Sequence, residues 1–157
     1  TRLFALLDEV DSTDDTALRA IWSQLGDFLE THAKAEELHF YPALLKHGKG
    51  ADDKPDAKSE TVDAIKDHNE IRDAIAKVGA HKAGSSKWLA AVADVRKANS
   101  DHMAEEEREG LADFRLTAGL SLRHDLAVKF AAFEAVHFAG VKAVDKDPKA
   151  YVEKHSP

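Results

Sequence analysis

Apolar residues recur at steps of three and four along almost the whole chain, the spacing of amphipathic helices rather than the alternation of strands. Leu3 to Val10 reads as a short, very apolar helix. The run Asp11-Ser12-Thr13-Asp14-Asp15 carries turn and N-cap residues. A long second helix is predicted from about Asp14 to about Lys46, with an inward stripe of Leu18, Ile21, Leu25, Phe28, His32, Glu36 (or Ala35), His39 and Ala43. Gly48, Gly50 and Pro55 mark a charged loop. A third helix is predicted from about Ser59 to Ala80, with Val62, Ile65, His68, Ile71 or Arg72, Ile75 and Val78 inward. After the turn Ala83-Gly84-Ser85-Ser86, a fourth runs from about Ser86 to Phe114, striped by Leu89, Val92, Val95, Asn99, His102, Glu106 and Glu109. Gly119 breaks the pattern, a fifth helix spans about Ser121 to Gly140, and Pro148 reads as an interruption of the tail.

Long helices joined by short loops are antiparallel neighbours, so the expected fold is all-α: an up-down antiparallel four-helix bundle over residues 1–115 with a C-terminal helical extension over 116–157. The first helix is too short to span such a bundle, and its remainder is expected upstream of Thr1.

Polar residues on the inward stripes change the picture. His32-x-x-x-Glu36 and His102-x-x-x-Glu106 repeat one pattern on two helices, and His68 lies on a third. Four residues of helix turn the chain by about 40° and rise roughly 6 Å, so each His-Glu pair shares one face. Counting along the antiparallel helices at about 1.5 Å per residue places Glu36, His68 and His102 at comparable depth. Imidazoles and carboxylates facing an apolar interior are costly unless something pairs with them. A cation held by facing helices is the arrangement that satisfies them, with carboxylates able to bridge two metals. Glu37, Glu105 and Glu107 fall off the stripe and read as a solvated face, with a bridging carboxylate the alternative for Glu37. His39 and Glu109 each follow a stripe histidine by two turns, about 20° off its direction and about 10.5 Å further on. They are further ligand candidates for a second ion, or partners of each other or of Arg72 around the ligands. Tyr41 precedes Pro42, which should bend the helix; its phenol either bonds an exogenous ligand or simply packs.

Composition sharpens this. The 157 residues include nine histidines and no cysteine, so a transition-metal site here uses imidazole and carboxylate donors, and disulfide frameworks and thiolate sites are excluded. The net charge of −7 disfavours nucleic acid as a partner. No apolar run suits a membrane span and no signal-peptide pattern is seen, so a cytoplasmic protein is expected.

His32-x-x-x-Glu36-Glu37 followed by Phe40-Tyr41-Pro42, Asp67-His68, and His102-x-x-x-Glu106-Glu107 together resemble the hemerythrin-like family, the HHE cation-binding domain, in its bacterial branch. The resemblance covers about residues 1–115. It implies two non-haem iron ions, oxo- or hydroxo-bridged, in a four-helix bundle, and small oxidants (O2, H2O2 or NO) as ligands. Zinc and manganese suit the same donors. Two departures stand out: Arg72 occupies the place of a second third-helix histidine of the oxygen carriers, and the last motif has Glu106 and Glu107 where those carriers end on an aspartate. The histidine that most members carry on the first helix is expected upstream of Thr1. The function expected is therefore binding of, or reaction with, small oxidants, including peroxide- or nitric-oxide-consuming oxidoreductase activity. The alternative is an iron or oxygen sensor signalling through occupancy, and reversible oxygen carriage is weakened by Arg72.

Overall fold

The computed structural model describes residues 2–157, and among them there is no strand. The chain forms α1 (Arg2–Glu9), α2 (Asp15–Ala35), a π-helical turn (Glu36–Phe40), α3 (Tyr41–His47), α4 (Ala57–Gly79), α5 (Ser86–Arg108), α6 (Gly110–Thr117), α7 (Leu120–Val136) and α8 (Pro148–His155). It is an all-α bundle, as the sequence predicts, in which α4 and α5 make the most extensive pairing. Among the described residues, no helix is long and apolar enough to cross a membrane.

Side-chain caps fix the long helices where the sequence suggests. Asp14 Oδ1 accepts from Ala17 N at 2.9 Å, Asp56 Oδ1 from Ser59 N at 2.8 Å and Ser85 Oγ from Trp88 N at 3.2 Å. The expected second helix is continuous to His47, but a π turn interrupts its hydrogen-bond ladder. Pro42 supplies the physical reason: it has no N–H for the Leu38 carbonyl and its ring clashes there, so the preceding turn widens. Tyr41 N accordingly donates to Glu36 O, five residues back.

The expected fourth helix stops short of Phe114. Glu109 leaves the helical region (φ −103°, ψ −97°), and α6 starts in a new direction. Gly110 makes this packing feasible, since a Cβ there would stand 3.2 Å from Leu44 Cδ2 and 3.5 Å from the Phe40 ring. Pro148 does not interrupt the tail but begins α8 at a first-turn position, with Asp147 capping Ala150 N at 2.7 Å.

Two apolar clusters divide the bundle. One joins Phe4, Leu7, Leu18, Leu25, Leu29, Val78, Trp88 and Val95; the other joins Phe40, Tyr41, Leu44, Ile65, Phe114, Tyr151 and Val152. The second draws on both sides of residue 115, because α6 and α8 fold back onto α3 and α4. Phe28 and Leu89, expected inward, are 41% and 43% exposed, while their neighbours Leu29 and Trp88 take the core positions. Between the clusters lie buried polar side chains, among them Glu30, Glu36, Glu37, His68, Arg72, Asn99 and His102.

Candidate metal centre

Three helices deliver one imidazole each: His32 from α2, His68 from α4 and His102 from α5. Their Nε2 atoms face a common centre. His68 Nε2 lies 3.2 Å from His102 Nε2 and 3.1 Å from Glu36 Oε2, and His32 Nε2 lies 3.1 Å from Glu36 Oε1. Glu36 thus turns one oxygen toward His32 and the other toward His68. Tyr41 Oη donates to Glu106 Oε1 at 3.0 Å and stands 3.4 Å from His68 Nε2, which brings Glu106 to the same level.

The outward nitrogens follow one rule. His32 Nδ1 is 2.8 Å from Glu134 Oε1, His68 Nδ1 is 3.1 Å from Glu37 Oε1 and His102 Nδ1 is 3.2 Å from Asp67 Oδ2. A carboxylate at Nδ1 makes that nitrogen the donor and leaves the Nε2 lone pair pointing inward, the orientation metal-binding histidines adopt. In neutral rings, the lone pairs of His68 and His102 then oppose each other across 3.2 Å. Glu36 Oε2 beside them is buried and has no other partner, so with His68 neutral it accepts no hydrogen bond. Acceptors facing acceptors in a closed interior call for a cation, and ligand atoms of Glu36, His68 and His102 all lie within 4.8 Å of one another.

Protonation equilibria register the same crowding. Burial opposes charge on His32, yet the Glu36 and Glu134 carboxylates hold it up to about 9. Burial likewise opposes charge on His68, which Glu36 and Glu37 also hold up to about 9. Glu36 is driven well below the carboxylate range by His32 and His68 in spite of its burial. Glu106 goes the other way: burial and the neighbouring Glu36 charge push it up to about 8. Protons occupy, in the absence of metal, the position a cation would take.

The structure brings together His32, Glu36, His68, His102, Glu106 and Tyr41. It does not bring in His39 or Glu109. The π turn adds one residue to the helix, which rotates His39 off the stripe to pack edge-on against Phe133 at 5.7 Å. Glu109 sits at the α5–α6 break, 3.6 Å from Lys54 Nζ and grouped with Asp52 and Asp53. Arg72 stands behind the centre, with Nε and Nη2 on the two oxygens of Glu30 at 2.8 and 3.0 Å and Nη2 also on Glu37 Oε1 at 2.8 Å.

Glu37 departs most from the sequence reading. It is 1% exposed rather than solvated, because the π turn directs two successive carboxylates inward. Burial works against its charge, but His68, Lys146 and Arg72 hold it down to about 2. Sequence also passed over Glu134, Lys146, Glu30 and the bonding of Asp67. The first two lie more than 90 residues from their partners and share no helix with them. Of the remaining histidines, His137 is half-buried and its Nδ1 meets Phe133 O at 2.9 Å.

A cleft of about 510 Å³ between the π turn, α5, α6 and α7 reaches His32, Glu36 and Glu106. Its walls include Phe40, Met103, Leu111, Phe114, Leu126 and Phe130, so solutes approach the centre along a mainly apolar path.

The family model described as hemerythrin HHE cation binding domain matches residues 1–112, and the chain belongs to this family. No curated protein and no solved structure matches the chain.

Proposed function

We propose that this member of the hemerythrin HHE family holds two iron ions at His32, Glu36, His68, His102 and Glu106 and binds or reacts with small oxidants (O2, H2O2 or NO). One observation carries the reading: Glu36 presents its two oxygens to different histidines, and its buried Oε2 has no donor once His68 is neutral, the pose that suits a carboxylate shared between cations. Five protein donors leave coordination positions free on two ions, and the cleft gives an exogenous ligand access to that side. Bound iron would supply Lewis acidity and one-electron chemistry. The chain's own residues do the rest. Glu134, Glu37 and Asp67 fix the three ring orientations. Tyr41 offers a hydroxyl proton beside His68, at present given to Glu106. Phe40 and Phe130 limit water at the mouth.

Peroxide or nitric oxide consumption is the enzymatic form of this function. A sensor that acts through occupancy is the second reading, favoured by the placement of the donors on α2, the π turn, α4 and α5, which a cation would tie together. The deciding measurement is anaerobic Fe(II) titration followed by elemental analysis and an optical spectrum. About two irons per chain are expected, falling in His68→Ala and His102→Ala. Zinc or manganese alone in protein offered iron, or iron uptake indifferent to both substitutions, would overturn the reading. Peroxide loss no faster than with free iron would remove the peroxidase form and leave the sensor.

A further inference from the structure

The segment after α7 lies beyond the residues the family model matches, yet it reaches the ligand shell. Lys146 is pinned by its backbone: its N–H donates to Asn69 Oδ1 at 3.1 Å, and its carbonyl accepts from Asn69 Nδ2 at 2.7 Å. Asn69 follows His68 directly in α4. So held, the Lys146 ammonium bonds Glu37 Oε2. Tyr151 of α8, buried in the second apolar cluster, donates its hydroxyl to the Glu37 carbonyl oxygen within the π turn. The side chain and backbone of Glu37 are therefore both gripped by the C-terminal segment.

Glu37 in turn meets His68 Nδ1 at 3.1 Å and Arg72 Nη2 at 2.8 Å with its other oxygen. Arg72 is shared with Glu30. Glu30, Glu37 and Arg72 are buried behind His68, and the partly exposed Lys146 ammonium brings the set to two carboxylates and two cations. A carboxylate that gives its charge to two cations pulls weakly on the imidazole N–H. Removing one cation strengthens that pull and makes the opposite nitrogen a stronger donor to a metal.

We propose that Lys146 is a positioning residue of the metal centre, setting the electron donation of His68 through Glu37. The C-terminal segment thereby tunes a ligand it does not itself provide. The effect on bound iron rests on the iron-binding reading above; the effect on the His68 hydrogen bond does not.

The test uses the full chain with Lys146→Met and Lys146→Arg. In metal-free protein the His68 Nδ1–H proton resonance is expected to move downfield in Lys146→Met and to return in Lys146→Arg. In iron-loaded protein, Lys146→Met is expected to raise the ratio of ferric to ferrous affinity by about tenfold, the scale on which partners of metal-bound histidines change metal affinity, and Lys146→Arg to restore it. A tether without electronic influence would lower both affinities together and leave that ratio alone. An unmoved resonance in folded Lys146→Met, or a ratio that is unchanged or falls, overturns the proposal. A moved resonance in a chain that takes up no iron would defeat the iron-binding reading and leave the Lys146–Glu37–His68 coupling standing. Should Lys146→Met fail to fold, Tyr151→Phe and Lys146→Gln serve, with the resonance expected to move in Lys146→Gln and a fixed one overturning the proposal.

Discussion

At the scale of single residues, carboxylates of one chemical type divide by environment. Glu36 and Glu37 stay charged because cations and imidazoles surround them, whereas Glu60 has no cation against it. Glu60 is 3% exposed; its Oε1 accepts from Ala51 N at 2.8 Å and its Oε2 has no donor. Asp113 beside it is occupied by Lys49 N and Gly50 N at 2.6 and 2.8 Å. Burial, then the charges of Asp113 and Glu109, push Glu60 up to about 7. The folded chain therefore holds this proton more tightly than the unfolded chain, where the value is 4.5. Stability from Glu60 is fully present below 4.5 and lost as pH rises through about 7. Glu60→Gln keeps an acceptor for Ala51 and offers a permanent N–H to Asp113. Urea denaturation across pH 5–8 should show the variant gaining on the parent as pH rises, by up to about 3 kcal/mol at 1.36 kcal/mol per pKa unit. The histidines titrate in both chains and cancel in the difference. Parallel pH curves would show that Glu60 is ionised in the fold.

At the scale of elements, the π turn decides which side chains see the centre. The period of 3.6 residues holds from Leu18 to Glu36, and over that stretch the stripe was legible except at Phe28, whose core place Leu29 takes. Past Glu36 the same count put His39 inward and Glu37 outward, and both placements reversed, because one inserted residue rotates everything after it by about 100°. Pro42 gave a visible sign of a disturbed helix, but a bend and a π turn have the same cause and sequence spacing does not separate them. The placements of His32, His68 and His102 were legible because each lies on an unbroken stretch of helix. Their carboxylate partners Glu134 and Glu37 were not, since one pairing depends on how α7 docks and the other on the π turn. Deleting Leu38, which is 46% exposed, together with Pro42→Ala, which returns the missing N–H, should restore a regular helix with Phe40 and Tyr41 still in the core. Circular dichroism is expected to keep its helical signal while metal uptake falls at least tenfold, the loss expected when partners of metal-bound histidines are displaced. Unchanged uptake would mean that the paired inward carboxylates are dispensable.

At the scale of the whole molecule, the centre is a polar layer between two apolar clusters, drawing donors from α2, the π turn, α4 and α5. Such a layer is stable only when its charge is balanced. In the metal-free chain protons do this: His32 and His68, held up to about 9 against burial, contribute stability that is complete below 6.5 and lost as pH rises through about 9. A bound cation removes that dependence, because it needs the imidazoles neutral and takes over their charge. Two thermal series should therefore diverge. Without metal, the melting temperature should fall between pH 6.5 and 9; with metal at a fixed concentration, about 100 times its dissociation constant at pH 6.5, stability rises there by about 2.7 kcal/mol, or roughly 5–10 °C for a chain of this size, and the gap should widen toward pH 9. The widening distinguishes this layer from a surface site, where metal would raise the melting temperature by the same amount at every pH in that range. A constant gap would place the bound cation away from His32 and His68, whatever its stoichiometry.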